Sequence, residues 1–176
     1  MQSWFKDTPN SVLDKQSLLT VTIYGPYGFY TKRLQRIARL IRQKYNFKNT
    51  YIVKDRRDFR KRLLNETPVI YFTEKSYYYL LHSHVNIFIF YCGPHAESAS
   101  MELQFISQNL REKVPCCAVM KDTQCNMATI LEGQMRITKF RVDKFDSHTH
   151  SCDDDITELV AARCIEFLIE KYHLLP

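Results

Sequence analysis

Ser98 and Glu102 are the first pair in this chain whose types and spacing could do chemistry. Residues four apart share one face of a helix. A glutamate there, at the mouth of a crevice, could attack an anomeric carbon or stabilise an oxocarbenium ion. The plainer alternative is a first-turn glutamate favoured by the helix dipole, with Ser98 as the N-cap. A second constellation is Tyr24-Gly25-Pro26-Tyr27-Gly28. It has neither the Gly-Lys-Ser/Thr ending of a P-loop nor the G-x-G-x-x-G spacing. Close backbone approach and a helix N-terminus behind it suit phosphate or ribose. They equally suit a tight strand-to-helix turn.

Two weaker constellations complete the set. His148-Thr149-His150-Ser151-Cys152 carries metal-ligand types. No second cluster of matching spacing exists, and His82, His84 and His95 are scattered, so no metal or other cofactor is assigned. Cys92 beside Gly93 could be a nucleophile, but nothing in the sequence points to a depressed thiol pKa.

These residues need elements to position them. Val85 to Tyr91 reads as a buried strand running into a loop through Gly93, with a helix opening at Ala99-Ser100-Met101-Glu102-Leu103. Upstream, Leu18–Tyr24 reads as a strand. A helix follows, with Thr31 as its cap and Leu34, Ile37, Ala38, Ile41 and Tyr45 on one face. Thr50–Val53 is a short second strand. Phe59, Leu63 and Leu64 suggest a short helix over Arg56–Leu64, and Pro68–Phe72 an extended loop. Thr73–His82 reads as a helix capped by Thr73. Further on, the pattern predicts a strand over Val114–Met120, a helix over 123–133 ended by Gly133, a strand over Arg136–Val142 and a last helix from Asp153 to about Tyr172.

Alternating strands and helices predict a single α/β domain over 18–176, behind a leader of residues 1–17. The expected architecture is a flavodoxin-like, Rossmann-like three-layer sandwich around a five-stranded, mainly parallel sheet of order 2-1-3-4-5. The switch point then lies between strands 1 and 3. Three of the four glycines, Gly25, Gly28 and Gly93, fall in the loops flanking it.

Charge is uneven: residues 1–88 hold 16 Lys+Arg against 6 Asp+Glu, and residues 89–176 hold 9 against 13. A basic first half suits an anionic partner, or simply a solvated helix face. Nucleic-acid contact through Arg33, Arg36, Arg56, Arg57, Arg60 and Arg62 has no supporting motif. Six cysteines without an apparent framework, and no signal-peptide pattern, point to a reducing cytoplasmic setting. No apolar run approaches a membrane span.

Ile23-Tyr24-Gly25-Pro26, then His84-Val85-Asn86-Ile87-Phe88-Ile89-Phe90 and Ser100-Met101-Glu102-Leu103, resemble the nucleoside 2-deoxyribosyltransferases and the related deoxynucleoside monophosphate N-glycosidases. The resemblance covers roughly residues 18–122. It implies a nucleoside or nucleotide as the partner and cleavage or transfer at its N-glycosidic bond. By that resemblance Glu102 is the nucleophile on C1′ of a deoxyribose. By it Gly25 and Pro26 match the substrate loop, and Ser98 or Ser100 matches the polar residues near sugar or phosphate; the glycine loops themselves add Tyr24, Tyr27, Gly28 and Gly93 as expected substrate contacts. It also implies a homo-oligomer. Two positions depart from the family: its acidic residues at the start and end of strand 3 are His84 and Tyr91-Cys92 here. That departure makes a non-catalytic nucleotide-binding or signalling module the second reading. The Glu-Leu pair is also similar to TIR domains, which makes an NAD glycohydrolase the third.

Overall fold

Five strands form one all-parallel sheet in the order β2-β1-β3-β4-β5. They are β1 (Thr20–Tyr24), β2 (Asn49–Ile52), β3 (Val85–Phe90), β4 (Cys117–Asp122) and β5 (Arg141–Phe145). The computed structural model describes residues 10–92, 97–125, 127 and 129–172. Helices α1 (Asn10–Leu13), α2 (Thr31–Tyr45), α3 (Pro68–His82), α4 (Glu97–Asn109), α5 (Thr129–Thr138) and α6 (Cys152–Tyr172) surround the sheet. The architecture is the expected flavodoxin-like one, and the sheet is parallel throughout.

Alternation along the strands sorts the side chains into two cores. Val21, Ile23, Val85, Ile87, Ile89 and Met120 meet α2 and α6 on one face. Tyr24, Phe88, Phe90 and Val119 meet α3, α4 and α5 on the other. Because both faces are covered, β3 is buried at all six positions and is apolar apart from Asn86, which donates to Leu80 O at 3.2 Å.

Several boundaries differ from the sequence expectation, each for a physical reason. The α3 helix begins at Pro68, not Thr73. Thr67 is its N-cap, accepting a hydrogen bond from Ile70 N at 3.3 Å, and Pro68 fits the first turn because it needs no amide donor there. So 68–72 is helix and not an extended loop. The basic stretch 56–66 is irregular instead of helical. Of its presumed apolar face, Phe59 packs against Tyr71, Tyr78 and Tyr79, but Leu63 and Leu64 are exposed. Side chains hold it instead: Arg56 pairs with Asp58, Arg60 with Glu66 and Glu74, and Tyr71 donates to Arg60 O at 3.0 Å. Thr31 opens α2 as a helical residue and accepts from Gly28 N at 2.9 Å; Tyr30 occupies the cap position.

Gly133 does not end a helix. It lies inside α5, where Leu131 and Met135 are buried and outweigh the modest cost of a helical glycine. The turn comes later, at Lys139 with φ 58°, so the last strand is Arg141–Phe145 rather than Arg136–Val142. Residues Arg111–Cys116 form a 3-10 turn around Pro115, which delays β4 to Cys117.

Acidic residues of α6 answer basic ones of α2. Arg33 and Arg36 pair with Asp153, and Lys44 pairs with Asp154. Among the described residues, no helix is long and apolar enough to cross a membrane.

Gly25 is buried at the end of β1. A Cβ built there would sit 3.0 Å from both Leu34 methyl carbons and 3.3 Å from the Ile89 carbonyl oxygen. Gly25→Ala is therefore expected to destabilise the fold by about 1–3 kcal/mol through overpacking. Urea unfolding midpoints of the two proteins measure the difference.

Candidate functional site

A cleft of about 620 Å³ opens on the face covered by α3 and α4. Its walls come from the carboxyl-end segments after three strands. Tyr27 follows β1, Val53 and Lys54 follow β2, and Met101 and Glu102 come from the helix after β3. The α3 helix contributes the remaining wall, including Phe72, Ser76 and Tyr77. This is where a doubly wound sheet places ligands.

Local packing fixes the two helices that meet there. Tyr77 of α3 stacks on Phe105 of α4, with centroids 4.2 Å apart and planes 14° apart. Beneath them Tyr24 stacks on Phe88 at 4.9 Å and reaches Ser76 O with its hydroxyl at 3.4 Å. Lys75 is buried and donates to Lys54 O at 3.3 Å and Arg56 O at 2.6 Å, tying the segment after β2 to α3. The Arg56 guanidinium lies over the Tyr79 ring, 4.0 Å from its centroid.

Glu102 is the one carboxylate among the described residues lining the cleft. It is 8% exposed. Ser76 Oγ donates to its Oε1 at 2.6 Å, while Oε2 has no hydrogen-bond partner among the described residues. None of the described ion pairs involves it. Burial disfavours the charged form, and the Ser76 hydrogen bond only partly offsets this, so the carboxyl is pushed up to about 7. The helix begins at Glu97, so Glu102 lies in the second turn rather than the first, and Ser98 is a helical residue rather than the cap. The dipole alternative loses its basis with that shift, because its effect fades beyond the first turn.

The raised carboxyl links stability to pH. Glu102 takes up its proton near pH 7 when folded and near its ordinary 4.5 when unfolded. Between those values the folded state binds more protons, so stability from this group is complete below about 4.5 and lost as pH rises through about 7. The expected loss is roughly 3 kcal/mol. Chemical denaturation at a series of pH values measures it, and Glu102→Gln should flatten that part of the profile.

The other expected residues divide clearly. Tyr27 lines the cleft and donates to Ile23 O at 3.3 Å. Burial and the nearby Glu102 raise the pKa values of Tyr24 and Tyr27 well above the ordinary tyrosine value, so both remain neutral phenols. Gly25 and Pro26 are buried behind the cleft, Gly28 is exposed with φ 95°, and none of them lines it. Ser100 is half-buried and also lies outside the lining. Gly93 and the Ser98 side chain lie outside the described residues. Where the family has acids, His84 Nδ1 accepts from Thr20 N at 3.0 Å, and Cys92 N donates to Asp122 at 3.2 Å.

Of the residues lining the cleft, only Tyr27 and Glu102 were expected site residues; Ser76, Val53, Lys54, Phe72 and Tyr77 are among those that sequence reasoning missed. Ser76 had a readable signal, because Thr73, Ser76, Tyr77 and Leu80 fall on one helical stripe and Leu80 is buried. A serine on the packing face of a helix asks for a partner.

The remaining constellations hold less. Among the described residues, no group of three or more His, Cys, Asp or Glu could hold a metal ion. Of the six arginines weighed for nucleic acid, Arg33, Arg36, Arg56 and Arg60 are engaged with carboxylates. No protein-family model matches the chain, and no curated protein matches it in sequence.

Proposed function

We propose that this protein binds a nucleoside or nucleotide in the cleft and cleaves or transfers at its N-glycosidic bond, with Glu102 as the nucleophile. The observation that carries the reading is the Glu102 carboxyl itself. It is desolvated, free of any cation among the described residues, and set in a largely apolar cleft walled by Tyr27, Phe72 and Tyr77. Aromatic walls suit a flat base, and Lys54, exposed at the cleft, suits a phosphate.

The chemistry balances with water alone. Glu102 Oε2 forms a bond to C1′ as the C1′–N bond breaks. The base leaves with the electron pair and takes a proton from water. The hydroxide so formed displaces the glutamate at C1′, or takes the N–H proton of a second base that displaces it, and either route restores the carboxylate. Oε2 is buried, so the side chains around it must part as the sugar enters. The ionised form is the nucleophile, so the rate should climb with pH toward and past 7.

The test is direct. The protein is incubated with deoxynucleosides, their 5′-monophosphates and NAD, and free base is followed by chromatography. Release of base supports the enzyme reading, and NAD as the sole substrate would favour the glycohydrolase alternative. Retained nucleotide binding without release from any substrate would overturn catalysis. It would leave a binding or signalling module on the same fold, a reading favoured by the structural roles of His84 and Cys92 where acids were expected.

A further inference from the structure

We propose that Ser76 is a positioning residue for Glu102: its hydroxyl ties down Oε1 and leaves Oε2 as the oxygen that meets the sugar. The inference rests on the catalytic reading of Glu102, and it adds a residue from a different helix with a separable test.

Three observations converge on it. The Ser76 Oγ–Glu102 Oε1 contact is 2.6 Å, links residues 26 apart in sequence and is buried. Oε2 has no hydrogen bond to a described residue to surrender when a substrate reaches it. Ser76 is itself held: its carbonyl accepts from Tyr24, and the next residue, Tyr77, is stacked on Phe105 of the helix that carries Glu102. A hydroxyl so anchored fixes the rotation of the carboxyl group. As a donor it also favours the charged carboxylate over the acid.

The nearby phenols are engaged elsewhere or carry no charge. The Tyr24 hydroxyl from β1 and the Tyr27 hydroxyl from the following loop donate to the Ser76 and Ile23 carbonyls, and burial raises the pKa of both and of Tyr77 from α3, so all three stay neutral. Lys54 lines the same cleft and is exposed to solvent, which weakens its field at the buried carboxyl.

Three variants separate positioning from mere packing. Ser76→Ala removes the donor, Ser76→Cys fills the space with a weak donor, and Ser76→Thr keeps a hydroxyl. The first readout needs no activity: the titration of the Glu102 carboxyl, followed by carbon-13 NMR in the full chain. Ala and Cys should both move the midpoint upward by about one pH unit, a tenfold change in proton affinity, and Thr should leave it near the parent's. The second readout is base release. Ala and Cys should shift the acidic limb of kcat upward by the same amount, with KM little changed, and Thr should restore the parent's profile.

An unmoved Glu102 midpoint in both Ala and Cys overturns the proposal, as does a Thr variant that behaves like Ala. If the parent protein releases no base from any substrate, the catalytic reading fails and the positioning proposal fails with it. The titration then reports only whether the Ser76 contact tunes Glu102.

Discussion

Glu102→Gln is expected to lower base release by at least about a thousand-fold while leaving the fold intact, because it removes the attacking atom and nothing else of similar chemistry is at hand. The amide has nearly the shape of the carboxyl and can still accept from Ser76 Oγ through its oxygen. Its nitrogen is not a nucleophile toward a glycosidic carbon. Among the described residues lining the cleft there is no second carboxylate to take over. Stability should be unchanged or improved above pH 7, since a desolvated charge has been replaced by a neutral group. The measurement is single-turnover base release by parent and variant, beside their melting temperatures and far-UV circular dichroism. A variant that releases base at the parent's rate would remove Glu102 from the mechanism.

Phe88→Ala should have the largest effect on stability, about 3–5 kcal/mol. Phe88 is fully buried at the centre of β3 and stacks on Tyr24 at 4.9 Å. Removing the ring opens a cavity between the sheet and the helices of the cleft face. It also takes away the surface that holds Tyr24 under Ser76. Urea unfolding gives the stability loss. Where the variant still folds at low temperature, the Glu102 titration should broaden or shift, because the Ser76 contact is less firmly held. A loss below about 1 kcal/mol would mean that the site collapses around the deletion.

Much of the fold was legible because burial writes itself into period. Val85–Phe90 is apolar at nearly every position since helices cover both faces of the sheet, and α2 shows a clean stripe since its other face is in water. Alternation pointed to a parallel doubly wound sheet, and the strand order, taken as the common one for five strands, is the one observed. The failures share a cause, in that local preference was read without knowing what lay opposite. Arg136-Ile137-Thr138 looked like a strand, yet Met135 and Leu131 pull that stretch into a helix by packing. Residues 59–64 looked amphipathic, yet no apolar surface receives Leu63 and Leu64.

At the site, Glu102 and Tyr27 were legible because each belongs to the segment that follows a strand's carboxyl end, where crevices form. Ser76 could be placed on a packing face, but its contact with Glu102 on another helix could not be read. The glycines pointed to the correct end of the sheet. The nearest neighbours of a Cβ at Gly25 are Leu34 and the Ile89 carbonyl rather than the cleft.

The order of the sheet also governs how the cleft comes into being. No two neighbouring strands are joined by a hairpin, and the central pair, β1 and β3, is separated by the whole of β2 and α3. The hydrogen bond from Thr20 N to His84 spans 64 residues. Such distant closure must be completed before its contacts give anything back, so a parallel sheet of this kind forms slowly and late. Ser76 and Glu102 hang from helices on either side of β3, one before it in the chain and one after. A nascent chain lacks the cleft until both have docked, and a ligand that fits it will therefore bind only the finished molecule.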